Sequence, residues 1–249
     1  MKVKTNLLCM TAAFALAMPA CAAGPAQPRS PKSATKLLAR QKEAGLATIT
    51  ENAARAHVYF LADDLLEGRR AGQRGSRIAK QYIISRLREA GVKPLFGDTY
   101  EQPFQAYADQ KLKRGVRFFV DADSIAQIKK HVHQRMDISN VLGVIPGRRS
   151  DEIVVVGAHL DHEGMYADVA GDNIYNGADD NASGVTAVLQ IMKAFAESGA
   201  TPERTIVFAF WDGEEFGLLG SKFFVNHYAD ISKVKGYLNF DMVGGNNKP

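Results

Sequence analysis

Apolar runs of strand length that end abruptly in carboxylate or imidazole side chains constrain this 249-residue chain more than any other feature. Ile153-Val154-Val155-Val156 runs into Gly157-Ala158-His159-Leu160-Asp161. Residues 205–211 run into Asp212-Gly213-Glu214-Glu215, and residues 234–240 into Asp241-Met242. A fourth cluster, Gly177-Ala178-Asp179-Asp180-Asn181-Ala182-Ser183-Gly184, opens a helix over 185–196 whose Val188, Ile191, Met192 and Phe195 face the core. Apolar strands without polar alternation are covered on both faces, and helices between them supply the cover. The fold class is therefore α/β: a mixed, mostly parallel central sheet with helices on both faces. In such sheets, active sites gather at the carboxyl ends of strands, where His159, Glu214, Glu215 and Asp241 fall.

The rest of the chain fits around that sheet. Helices are predicted over 50–62, with Val58, Leu61 and Leu65 on one face, and over 76–90, where Gly91 supplies the stop. A further helix is expected over 218–228. Strand-like patterns occupy 100–120 and 138–146, while 121–136 is too mixed to place. The 249-residue chain has ordinary globular composition, 46% hydrophobic and 23% charged, and residues 46–249 are expected to form one domain.

The amino-terminal residues stand apart. Lys2 and Lys4, an apolar run from Leu7 to Met18 and the small-residue site Ala20-Cys21-Ala22 read as a secretory signal peptide over 1–22. This implies a periplasmic or secreted protein. No later stretch is apolar for long enough to span a bilayer. Both cysteines, Cys9 and Cys21, fall in this segment, so no thiol chemistry is expected after cleavage. A second reading makes Cys21 a lipid-anchored first residue, although Met18-Pro19-Ala20 fits such a signal poorly. Residues 23–45 read as a flexible lead-in, with three prolines between 24 and 33. Without Lys2 and Lys4 the formal charge falls from +4 to +2. The densest basic stretch, Lys111-Leu112-Lys113-Arg114, reads as a solvated edge, too little for nucleic-acid binding.

Each cluster has an ordinary reading and a chemical one. A His leaving a sheet edge is usually a hydrogen-bonded framework residue, but Asp161, two residues after His159, can accept the second ring N–H, as partners of metal-bound imidazoles do. His162 has no such supporter and is read, with His57, His131, His133 and His227, as a residue that supports the site from behind the ligands or serves the framework. Asp179 and Asp180 alone could form an acidic loop capped by Asn181 or Ser183. The adjacent pair Glu214-Glu215 is more specific: two neighbouring carboxylates repel and need a cation or a shared proton between them. One can then hold a metal while the other moves a proton. Asp241 alone could be ligand or turn residue.

The order and spacing of these clusters resemble the M28 family of zinc aminopeptidases. Phe216-Gly217-Leu218-Leu219-Gly220-Ser221 and, upstream, Phe60-Leu61-Ala62-Asp63-Asp64-Leu65-Leu66-Glu67-Gly68-Arg69 continue the likeness, which covers roughly residues 50–247. The resemblance implies a zinc-peptidase/phosphorylase-like fold and two Zn2+ ions held by His159, Asp180, Glu215 and Asp241. Asp180 would bridge the ions, with a cis peptide bond to Asn181. It implies Glu214 as general base and peptide or protein N-termini as substrates; Asp161, as the expected partner of the His159 ring, is counted with Glu214 among the catalytic residues. Asp179 matches a position that the family varies. The family also supplies one more His ligand after the last Asp, so the chain is expected to be carboxyl-terminally incomplete, missing its last sheet elements. One better-held zinc site and impaired activity would follow. The alternatives are a non-catalytic pseudoenzyme or binding module on the same fold, or a carboxypeptidase-like relative.

Overall fold

The computed structural model describes residues 31–110 and 116–245. The signal peptide, Cys21 and the Lys111–Arg114 stretch lie outside the described residues. In chain order the elements are helices α1 (Pro31–Ala47), α2 (Glu51–Leu61) and α3 (Arg74–Glu89), then strands β1 (Lys93–Pro94), β2 (Glu101–Asp109) and β3 (Phe118–Phe119). Helix α4 (Ala122–Ile128) precedes β4 (His133–Ile145), β5 (Arg149–His159), β6 (Gly164–Met165) and β7 (Ile174–Tyr175). The chain continues through α5 (Gly184–Glu197), β8 (Arg204–Trp211), α6 (Leu219–His227) and β9 (Val234–Asn239).

Residues 23–30 of the expected flexible lead-in lie outside the described residues, and residues 31–45 are helical, within α1. Pro31 sits at its first position, where a fixed φ and a missing N–H cost nothing, and the residues that follow are mostly good helix formers. The close approach of Gly45 to α5 anchors the end of the helix: a Cβ there would lie 2.5 Å from the Ala194 carbonyl oxygen. The Thr50 side chain accepts the Ala53 N–H at 3.2 Å and starts α2. That helix stops at Leu61, so Leu65 does not continue its buried face and is 72% exposed. Positive φ angles at Glu67, Gly68 and Arg69 turn the chain into α3. The stretch left unplaced by sequence resolves into α4, whose N-terminus is capped by Asp121 accepting from Ser124, and the start of β4.

The main sheet runs β3-β2-β4-β8-β5-β9, with β1 added against β4. The expected mixed α/β sheet is present, but it is not mostly parallel: β5 is parallel to β8 and β9, and the other pairings are antiparallel. Strand β8 shows why its sequence does not alternate in polarity. Ile206, Phe208 and Phe210 pack with Ile83 and Leu87 of α3 and Val188 and Leu189 of α5. Val207, Ala209 and Trp211 point to the opposite face, against Phe224 of α6. Both faces are thus closed over the centre of the sheet. At its edge, β9 leaves Tyr237 and Leu238 exposed. Among the described residues no helix is long and apolar enough to cross a membrane.

Replacing Phe208, fully buried in this centre, by Ala removes about 3–5 kcal/mol of unfolding free energy. Leu65→Ala changes it by less than about 0.5 kcal/mol. Urea denaturation followed by circular dichroism reads both.

Candidate metal centre

The parallel register of three strands assembles the site. His159, the last residue of β5, lies opposite Trp211, the last residue of β8, while Gly157 lies opposite Asn239 at the end of β9. The residues that follow β8 and β9 therefore emerge beside His159, and these include Glu214, Glu215 and Asp241. Asp180 arrives from the turn Ala178–Ser183 that leads into α5. Asn181 fastens this turn to the end of β9. Its amide donates to the Phe240 carbonyl at 3.0 Å, and its oxygen accepts from Gly184 N–H at 2.9 Å and Met242 N–H at 3.3 Å. Gly184 permits the approach, since a Cβ there would meet the Phe240 carbonyl oxygen at 2.3 Å. The Asp180–Asn181 peptide bond is cis.

His159 Nε2 lies 3.1 Å from Asp180 Oδ1 and 3.4 Å from Asp241 Oδ1. Ligand atoms of His159, Asp180 and Glu215 lie within 4.8 Å of one another, close enough to share one cation. Asp179 turns elsewhere and accepts from Gly244 N–H at 2.7 Å and Ser183 Oγ–H at 3.1 Å.

Asp161 does not do what its spacing suggested. Its carboxylate stays 3.8 Å from His159 Nδ1, and the ring nitrogen faces the Asp161 main-chain carbonyl at 3.1 Å instead. The carboxylate is occupied by two amides, accepting from Glu214 N–H at 3.0 Å and Glu215 N–H at 3.3 Å. Asp161 thus couples the end of β5 to the acidic pair after β8. Complete burial, with the Asp212 charge nearby, pushes its carboxyl well above the ordinary value.

The pair itself is split electrostatically. Burial raises the Glu214 carboxyl, and the Glu215 charge adds to the shift. Glu215 is lowered, first through the hydrogen bond with His162, whose Nδ1 lies 2.8 Å from Glu215 Oε1. Asp180 is raised by burial and by the Glu215 charge. Three carboxylates converge here on one imidazole, and a divalent cation is the partner that such a donor set fits.

Two buried charged residues hold this arrangement and were missed in the sequence. Arg69 is 1% exposed, and its guanidinium donates to the carbonyls of Leu61, Leu160 (3.0 Å), Asn176 (2.6 Å) and Gly177 (2.9 Å). It ties together the His159 and Asp180 loops, and burial brings its pKa down to about 10. Asp212 pairs with Lys80 Nζ at 3.0 Å and secures the loop that carries Glu214 and Glu215. Arg69 closes the upstream stretch that begins at Phe60, but nothing in that stretch showed that it would be buried. His57, His133 and His227 contact Tyr82, the His131 carbonyl and the Phe223 carbonyl, outside this group.

Residues 140–249 match Peptidase family M28. Over 110 residues the chain is 37% identical to leupeptin-inactivating enzyme 1 of Streptomyces exfoliatus, covering 43% of this chain and 23% of that protein. It is 41% identical over 110 residues to leucine aminopeptidase 1 of Trichophyton equinum, covering 42% and 29% respectively. The chain thus spans less than a third of either relative. In structure it is similar to the LapA aminopeptidase of Legionella pneumophila (TM-score 0.53, 20% identity, 81% of this chain and 45% of that one). It is also similar to the aminopeptidase of Aneurinibacillus sp. strain AM-1 (TM-score 0.56, 14% identity, 81% and 72%). At these identities the structural likeness establishes the fold.

Arg69→Met leaves four carbonyls, two of them in buried contacts, short of a donor and lowers the unfolding free energy by about 3 kcal/mol or more. Arg69→Lys recovers less than half of the loss, because an ammonium group has three donors and no planar fork. Chemical denaturation of the three proteins measures the ordering.

Proposed function

We propose that this chain, whose residues 140–249 match Peptidase family M28, removes amino-terminal residues from peptides as a two-zinc aminopeptidase. The observation that carries this reading is the convergence of His159, Asp180, Asp241 and Glu215 on one point, with Glu214 adjacent and electrostatically distinct from Glu215. His159, Asp180 and Asp241 would hold one ion, and Asp180 and Glu215 would contribute to the other. The relatives named as leucine aminopeptidase support the choice of peptide N-termini as substrate.

Zinc, when bound, polarises the scissile carbonyl and makes the attacking water more acidic. Glu214 takes the proton from that water on its carboxylate and gives it to the leaving amine. A carboxyl raised by burial suits the first of these steps, because it is a stronger base and takes the proton more readily. The bond from Glu214 N–H to Asp161 Oδ1 fixes where that carboxylate starts. Donation of His159 Nδ1–H to the Asp161 carbonyl leaves Nε2 free as the metal-binding nitrogen. The signal-like pattern of residues 1–22 supports a periplasmic or secreted setting for this activity.

Glu214→Gln abolishes hydrolysis of aminoacyl-nitroanilides while zinc content stays at the wild-type level, since it removes a proton carrier and no ligand. Glu215→Gln lowers both, and His159→Ala removes zinc. Hydrolysis assays with metal analysis after dialysis test all three. Wild-type turnover in Glu214→Gln contradicts the base assignment.

A further inference from the structure

We propose that His162 is the positioning residue for Glu215, donating Nδ1–H to Glu215 Oε1 and thereby presenting that carboxylate to the cation. The inference rests on the metallopeptidase reading above and adds to it a residue outside the ligand set.

An imidazole nitrogen 2.8 Å from a carboxylate oxygen must carry the proton, because two lone pairs cannot face each other at that distance. His162 is therefore a donor here. It also lies outside the group of ligand atoms that fall within 4.8 Å of one another, which comprises His159, Asp180 and Glu215. The contact is shielded, with the two side chains only 12% and 18% exposed, so the bond competes with little water.

Its surroundings fix the ring. The His162 N–H donates to the Arg69 carbonyl at 3.3 Å, joining it to the buried arginine that holds the neighbouring loops. Its ring edge lies over Gly177, where a Cβ would come within 2.6 Å of His162 Cδ2. Gly177 has φ +61°, so the same position asks for glycine twice. Glu215 is consequently held at both ends, its amide by Asp161 Oδ2 and its carboxylate by His162. Partners that orient a ligand in this way typically account for about 10–100-fold in metal affinity.

The test is zinc affinity, measured by competition with a chromophoric chelator, for wild type, His162→Phe, His162→Asn, Glu215→Gln and the His162→Phe/Glu215→Gln double variant. Thermal melts show that each is folded. Asparagine places an amide N–H near the position of Nδ1, so His162→Asn stays within about threefold of wild type while His162→Phe loses about 10–100-fold. The double variant binds no more weakly than Glu215→Gln alone, because the histidine acts through that carboxylate. Wild-type affinity in His162→Phe overturns the proposal. So does an equal loss in His162→Asn and His162→Phe, which would make the imidazole itself a ligand. A further loss in the double variant places the effect elsewhere and also overturns it. A wild-type chain that binds no zinc would instead sink the metallopeptidase reading, and this inference with it.

Discussion

The parallel register of β5 between β8 and β9 is the constraint on which the centre depends. Parallel neighbours end on the same side of a sheet, so His159 opposite Trp211 and Gly157 opposite Asn239 bring three chain segments to one edge. Strand β8 can lie beside β5 only because both faces of the sheet are covered, by α3 and α5 on one side and α6 on the other. The hydrophobic core is in this sense the support of the site. A shift of one residue in the β5–β8 register would turn His159 to the opposite face of the sheet.

The resulting cluster is electrostatically costly without a cation. Asp180, Glu214, Glu215 and Asp241 converge on a single deeply buried histidine. Burial raises Asp180 and Glu214, while Glu215 is lowered by its hydrogen bond to His162. Backbone donors and buried cations limit the cost from outside. Asp161 collects the amides of both glutamates, Lys80 neutralises Asp212, and Arg69 holds the carbonyls of the two ligand loops. A fold without a charge to accommodate at this edge would have little use for so many buried ionic groups.

The strands and helices that build the core were legible because burial on both faces or on one helical stripe leaves a plain apolar pattern. Strand β8 and helix α3 are of this kind. Helix α1 was not legible, since the prolines before Lys32 resemble a linker and only packing against α5 reveals the helix. Leu65 was misplaced because its helix ends four residues earlier, in a turn that the apolar spacing does not encode. At the site, the residues that emerge from strand ends were visible together with the strands. Their supports were harder to see. Asp161 stands two residues from His159, yet its carboxylate serves a loop 53 residues away. Arg69 and His162 likewise act across the fold, on partners that sequence spacing cannot name.

Anomalous diffraction at the zinc absorption edge, from crystals grown with zinc, tests the central claim most directly. The account predicts a peak at bonding distance, about 2.0–2.2 Å, from His159 Nε2 and the carboxylates of Asp180 and Asp241, with any second peak on Asp180 and Glu215. It further predicts that His162 stays bonded to Glu215 and outside the coordination sphere. Absence of a peak at the shared edge of β5, β8 and β9, or a zinc ion held by other histidines, would contradict it.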